Sequence, residues 1–167
     1  MSSPPTEFAP LLPEHWPAVA AIYAEGIESG HATFETSVPT WEAWTEAHRA
    51  SCRLIAVVDG RVVGFAALSP VSKRAVYRGV AEVSIYVAGA SRGRGIGGDL
   101  LGRLVGASEE EGIWTLQAGI FAVNIASITL HEHCGFRLVG TRHRIGQLKG
   151  AWHDVVLMER RSDTVGV

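Results

Sequence analysis

Between residues 82 and 105 the chain runs Glu82-Val83-Ser84-Ile85-Tyr86-Val87, a short bridge, Arg92-Gly93-Arg94-Gly95-Ile96-Gly97-Gly98, and then Leu100, Leu101, Leu104 and Val105 at helical spacing. This order predicts a strand, a glycine-rich loop and a helix start. A helix begins with backbone N–H groups that have no intrahelical partner and carries partial positive charge at that end, so the element suits an anion, above all a phosphate. Arg92 and Arg94 add full charges beside those donors, and glycines at 93, 95 and 97 permit positive φ and close backbone approach. Glu82 is the second group with chemical potential. A carboxylate in an otherwise apolar strand is costly unless it is paired, solvated on an edge-facing side, or used.

Two other phosphate-binding patterns must be set against this loop. Gly93-x-Gly95-x-x-Gly98 fits the dinucleotide fingerprint, but that site wants an acidic residue about 20 positions on, at the end of the next strand. The next strand-like run, Trp114 to Phe121, ends in Ala122-Val123. A P-loop needs Gly-Lys-Ser/Thr, and Gly97-Gly98-Asp99 supplies neither the lysine nor the hydroxyl.

The arrangement that survives resembles the acetyl-CoA loop of the GNAT superfamily of N-acetyltransferases, which runs Arg/Gln-x-x-Gly-x-Gly/Ala after a strand. Four further segments sharpen the resemblance: Ile22-Tyr23 through Thr33-Phe34-Glu35-Thr36, Ala81 to Val87, Asn124-Ile125-Ala126-Ser127-Ile128-Thr129-Leu130-His131-Glu132, and Gly150-Ala151-Trp152-His153-Asp154-Val155-Val156-Leu157-Met158. Together they look like the phosphinothricin and methionine sulfoximine acetyltransferase branch, from about residue 8 to 160. The resemblance implies an α/β GNAT fold, a mixed, mostly antiparallel sheet with helices on both faces. That sheet should splay between the Glu82 strand and the Trp114 strand, where acetyl-CoA enters as co-substrate.

It also implies roles. The loop residues Arg92, Gly93, Arg94, Gly95, Ile96, Gly97 and Gly98 would hold the pyrophosphate. The backbone of Ile85, Tyr86 and Val87 would meet the pantetheine arm and the developing oxyanion, and Asn124 would contact the arm while capping a helix. Glu82 would be the base, through a raised pKa or a water relay, because an unperturbed Glu at ~4.3 is poorly matched to an ammonium. His131 stands where the commonest superfamily pattern has a tyrosine, and would protonate the CoA thiolate; a histidine without function on a helix is the alternative. Acceptor contacts are expected at Phe34, Lys73, Arg74, Tyr77, Glu82, Val83 and Ser84, with Arg74 matched to a carboxylate. A solvated basic loop at 73–77 and a purely structural Phe34 are the competing readings.

The implied reaction is acetylation of the amino group of a small amino-acid analogue by direct attack in a ternary complex. Rivals are another acceptor, such as a peptide N-terminus or polyamine, and a non-catalytic acyl-CoA-binding regulatory module. Phe34, Trp41 and Trp44 hint at a closed pocket rather than a peptide groove. Homodimerisation is implied by the resemblance alone.

The elements that must position these residues can be read from periodicity. A helix is expected from Pro13 through Trp16, Val19, Ala20, Tyr23 and Ile27 to a Gly30 break, and a second, capped by Thr40, over Trp41 to Trp44. Leu54–Val58 and Arg61–Leu68 read as a hairpin turning at Asp59-Gly60. The CoA-loop helix should end at Glu109 to Gly112, followed by a strand over 114–121. Asn124 should cap a helix through about His133, terminated by Gly135, with strands near 136–142 and 152–159. Residues 1–7 are expected to fray, 8–160 to form one domain, and 161–167 to be a tail.

Composition bounds the rest. At 167 residues one core suffices, and 15 basic against 17 acidic side chains, net −2, give no global field for nucleic acid. Two cysteines far apart in sequence, Cys52 and Cys134, favour free thiols in a reducing compartment. The N-terminal residues lack the pattern of a signal peptide and no stretch approaches the ~20 apolar residues of a membrane span. The expectation is a cytoplasmic protein without membrane partners. His131 and His133 lie two apart on a helix and diverge, so no metal site is expected.

Overall fold

The computed structural model describes residues 4–167. Seven strands form one sheet in the order β1-β2-β3-β4-β5-β7-β6: β1 (Thr6–Pro10), β2 (Leu54–Val58), β3 (Arg61–Pro70), β4 (Val80–Val87), β5 (Thr115–Phe121), β6 (Arg137–Leu148) and β7 (Ala151–Arg161). Every neighbouring pair is antiparallel except β4 and β5. The helices are α1 (Trp16–Ser29), α2 (Trp41–Ala47), α3 (Ile96–Glu110) and α4 (Ile125–His133).

Strand alternation divides the core between the two faces. Ala66 and Leu68 of β3, with Leu116, Ala118 and Ile120 of β5 and Met158 of β7, pack on Leu100, Leu101 and Leu104 of α3. Phe65 and Ala67 face the other way, onto Val19 and Ile22 of α1 and Trp44 of α2. Truncating a leucine as buried as Leu101 to alanine costs about 2–5 kcal/mol.

The turn chemistry agrees with the sequence. Gly30 ends α1 at φ 74°, and Asp59 (φ 49°) with Gly60 (φ 73°) makes the two-residue turn whose twist suits a hairpin. Thr40 Oγ1 accepts from the Ala43 N–H at 3.2 Å, and Asn124 Oδ1 accepts from the Ser127 N–H at 3.2 Å, capping α2 and α4.

Three boundaries differ from expectation. Thr6 and Glu7, placed in a frayed segment by composition, pair with Val58 and Val57 as the start of β1; residues 1–3 of that segment lie outside the described residues. The expected tail is tied down, because Ser162 Oγ donates to Glu109 Oε1 at 2.7 Å and Arg161 Nη1 donates to the Val165 carbonyl. Strands β6 and β7 also run longer than 136–142 and 152–159. A break in register between Arg142 and Gly146 interrupts the alternation that would have announced the continuation of β6.

Candidate active site

The parallel pair β4–β5 is short. Val80 pairs with Thr115, Ala81 with Leu116 and Glu82 with Gln117, after which the strands part and β5 continues with β7 as far as Phe121 opposite Val155. The β5-facing backbone groups of residues 83–87 are thereby left without a strand partner. They border a cleft of about 810 Å³ that passes through the sheet. On the α3/α4 side it is lined by the glycine loop, Asn124, Leu130 and His131; on the α1 side by Tyr23, Phe34, Glu35, Arg142 and Ile145.

The α3/α4 half is made mainly of backbone. Gly93 and Gly95 have φ of 74° and 79°, and Gly95 is the N-cap of α3, so the N–H groups of the first turn are turned outward. Open space faces the position of a Cβ at both glycines, which a phosphate can occupy. Gly97, expected to use positive φ, is instead helical. There the missing side chain serves packing, since a Cβ would stand 3.3 Å from Leu130 Cδ2 of α4. Arg92 Nε donates to the Val87 carbonyl at 3.2 Å, which ties the loop to the end of β4. Extended, unpaired peptide groups on β4 beside an anion-binding turn suit a ligand that is itself part amide and part pyrophosphate. Asn124 Nδ2 lies 3.4 Å from the His31 carbonyl, bringing the segment after α1 to the edge of this groove.

Side chains build the α1 half. Glu82 Oε2 accepts from Gln117 Nε2 at 2.9 Å, so the carboxylate is held where β4 and β5 separate. Ser84 and Tyr86 follow Glu82 on the same side of β4. Tyr86 packs edge-on to Tyr23, ring centroids 5.0 Å apart, and burial pushes both phenols up, Tyr86 most strongly. Both therefore stay neutral. Phe34 leans on Phe121 (4.5 Å) and His153 (6.1 Å) and presses on Gly146, where an added Cβ would meet Phe34 Cζ at 2.7 Å.

His131 is 2 % exposed. Its Nδ1 stands 2.7 Å from the Ser127 carbonyl, an acceptor, which places the ring proton on Nδ1 and leaves Nε2 as a lone pair. Nε2 is buried with no protein partner among the described residues. Burial pushes the imidazole below its ordinary pKa, partly opposed by the Ser127 carbonyl. The resting ring is accordingly neutral, and a proton for a thiolate must first be taken up at Nε2.

The structure brings Phe34, Glu82, Val83, Ser84, Ile85, Tyr86, Val87, Arg92, Gly93, Gly95, Ile96, Gly97, Gly98, Asn124 and His131 to the cleft. It does not bring Lys73, Arg74 or Tyr77 there. Their exposed loop precedes β4, at the end of that strand opposite the splay, and Arg74 lies over Tyr77, guanidinium carbon to ring centroid 5.5 Å. Arg94 is likewise not among the residues that line the cleft. Sequence reasoning missed Tyr23, Glu35, Gln117, Phe121, Arg142 and Ile145, which reach the cleft through strand register and the segment after α1 rather than through any local motif.

The model of the acetyltransferase (GNAT) family matches residues 16–136. The chain belongs to that family. It is 37 % identical over 152 residues to a phosphinothricin N-acetyltransferase of Alcaligenes faecalis, covering 86 % of this chain and 76 % of the relative. It is 32 % identical over 153 residues to an L-methionine sulfoximine/L-methionine sulfone acetyltransferase of Pseudomonas paraeruginosa, covering 88 % and 89 %. Among solved structures, a phosphinothricin acetyltransferase from Sinorhizobium meliloti in complex with acetyl-CoA superposes with a TM-score of 0.87 at 28 % identity, over 96 % and 90 % of the two chains. A ribosomal-protein-alanine N-acetyltransferase from Brucella melitensis does so at 0.86 and 33 %, over 93 % and 99 %. The protein is an acetyl-CoA-dependent N-acetyltransferase, with the GNAT fold expected from its loop. No helix among the described residues is long and apolar enough to cross a membrane.

Proposed function

We propose that the acceptor is a small amino-acid analogue of the phosphinothricin, methionine sulfoximine or methionine sulfone type, acetylated by direct attack in a ternary complex. The observation that carries this reading is the α1 half of the cleft. Phe34, packed against Phe121, His153 and Gly146, narrows it, while Glu82 and Glu35 suit an ammonium and Arg142 suits an anion. The two relatives named for such acceptors support it.

In this reading acetyl-CoA lies along the unpaired edge of β4, its pyrophosphate on the Gly93–Gly98 turn and its thioester at Ile85–Val87. Glu82, fixed by Gln117, receives a proton from the acceptor ammonium directly or through a water. The amine lone pair attacks the thioester carbonyl, and β4 backbone N–H groups stabilise the oxyanion. The C–S bond then breaks, and the second amine proton passes to water as the amide forms. The thiolate takes a proton from His131 Nε2 when the ring is imidazolium, and from water otherwise.

The test is thiol release with phosphinothricin, methionine sulfoximine and methionine sulfone against a peptide with N-terminal alanine and a polyamine. Turnover of the amino acids at 100-fold or greater kcat/KM is expected. Preference for the peptide would favour the second reading, to which the Brucella structure gives specific support. The proposal extends to a cytoplasmic homodimer with neither nucleic-acid nor membrane partners. Free Cys52 and Cys134, the net charge of −2 and the exposed Leu138, Val139 and Trp152 on edge strand β6 and its neighbour support it. Light scattering tests the dimer.

A further inference from the structure

The register break in β6 is a built feature. Arg142 pairs with Val155 and Gly146 with His153, so 143–145 bulge out of the ladder. Arg144 has φ 47°, uncommon for a residue with a side chain, and its N–H donates to Asp154 Oδ1 at 2.7 Å. His143 Nδ1 lies 3.3 Å from Asp154 Oδ2. One carboxylate on β7 thus holds both sides of the bulge, and the bonds from Arg144 and His143 lower its pKa, keeping it ionised. The two side chains that flank the clamped pair, Arg142 and Ile145, are the ones that reach the cleft.

Arg142 and Arg92 are the only arginine or lysine side chains lining the cleft among the described residues. Arg92 is anchored at the cofactor end, on the Val87 carbonyl. The Arg142 guanidinium has no hydrogen bond or ion pair with any described residue. Strand register fixes its depth. Arg142 faces Val155, which faces Phe121, placing it two strands, about 10 Å, beyond β5 on the face that carries Gln117 and Gly119. An extended arginine spans much of that distance. Its guanidinium therefore approaches from the β6 wall of the cleft, with β7 and β5 between it and Glu82, so the group it meets lies away from an amine held at Glu82.

We infer that Arg142, presented by the Asp154-clamped bulge, reads the distal group of the acceptor and favours a negatively charged one, such as a phosphinate, over a neutral sulfone. This rests on the amino-acid reading above. A phosphinate offers two oxygens to the guanidinium fork with full charge, whereas a sulfone offers only dipoles. Asp154 is a positioning residue, acting through the bulge and not on the substrate.

The experiment measures kcat/KM for phosphinothricin and for methionine sulfone in the wild type, R142Q, R142K, D154A and D154N. The phosphinothricin-to-sulfone ratio should fall about tenfold or more in R142Q, through KM for phosphinothricin, with partial recovery in R142K. D154A should lower the same ratio, and D154N, whose amide oxygen still accepts from Arg144, should restore part of it. The acetyl-CoA KM should not follow the ratio. Acetylation of both acceptors with an unchanged ratio in R142Q overturns this inference and leaves the amino-acid reading standing. A wild type that acetylates neither acceptor overturns both. A ratio that falls in R142Q but not in D154A removes the positioning role of the clamp.

Discussion

The two halves of the cleft are built from different materials. On the α3/α4 side the lining is backbone: a first helical turn, two glycines at positive φ and a strand edge left bare where β4 leaves β5. On the α1 side the lining is side chains from four separate stretches of chain, Phe34, Glu82, Gln117 and Arg142. A backbone site constrains sequence locally, because only glycine takes those conformations cheaply and a helix start has its own signature. A side-chain site is assembled by register and is free to change one residue at a time. In the proposed reading the α3/α4 half, which would take the cofactor, therefore identifies the family, and the α1 half, which would take the acceptor, decides the substrate.

Substitutions at the boundary and in each half can break that division. The largest effect is expected at Glu82, where the halves meet. Glu82→Gln keeps the size and can still bond Gln117, but loses the proposed base; kcat should drop about 10²–10³-fold with acetyl-CoA affinity little changed, read by single-turnover kinetics and calorimetry. A kcat within threefold of wild type would remove Glu82 from the chemistry and leave it as a structural partner of Gln117.

Gly95→Val follows, confined to the cofactor half. The side chain would project into open space where a phosphate is expected, and φ 79° costs a β-branched residue strain besides. Acetyl-CoA binding should weaken at least about 30-fold in a variant that remains folded by circular dichroism. The control is Gly97→Ala, whose Cβ meets Leu130, not the ligand. It should destabilise the α3–α4 contact by about 1 kcal/mol while affinity stays within severalfold. Equal loss of affinity in both would mean that helix packing, rather than the anion-binding turn, governs the cofactor half.

The acceptor half is probed at Gly146. Alanine there collides with the end of the Phe34 ring, a flexible group that can shift. Displacing Phe34 from Phe121 should raise acceptor KM about three- to tenfold, with acetyl-CoA KM unchanged in steady-state kinetics. A matching rise in acetyl-CoA KM would show that the two halves are coupled, for example through the Asn124 contact with the His31 carbonyl.

The same contrast explains what could be read from residues alone. The hairpin at Asp59-Gly60, the caps at Thr40 and Asn124 and the loop at Arg92–Gly98 are local, and the sequence anticipated each. Strand β1 was hidden because Thr6–Pro10 follows a polar start and pairs only with distant β2. Arg74 takes its expected acceptor role from the family resemblance of its loop and from its match to a carboxylate, yet it belongs to the far end of β4 and does not line the cleft. Arg142 carried no motif. It enters the cleft only because β6 pairs with β7, β7 with β5, and Asp154 holds an irregular stretch that periodicity cannot foresee.

His131 crosses the division, a side chain on the backbone-built side, and its expected effects are the smallest. Burial favours the neutral ring, with Nδ1–H committed to the Ser127 carbonyl, so the folded pKa lies below the ordinary ~6.5. Above pH 6.5 both folded and unfolded chains hold the ring neutral, and the stability is fully present. As pH falls below 6.5 the unfolded chain binds a proton that the native state refuses, and stability declines until the folded pKa is passed. His48, lowered by burial and by the nearby Arg53 charge against the opposing Trp44 carbonyl, acts in the same direction. Denaturant midpoints between pH 5 and 8 should therefore slope in the wild type, less in His131→Gln, and least when His48→Gln is added. Catalysis supplies the second readout. If imidazolium feeds the thiolate, kcat at saturating substrates should lose its dependence on this low pKa in His131→Gln and fall about three- to tenfold below pH 7. A flattened stability profile with an unchanged kcat profile would make His131 a buried packing residue, and water the proton source for the departing thiolate.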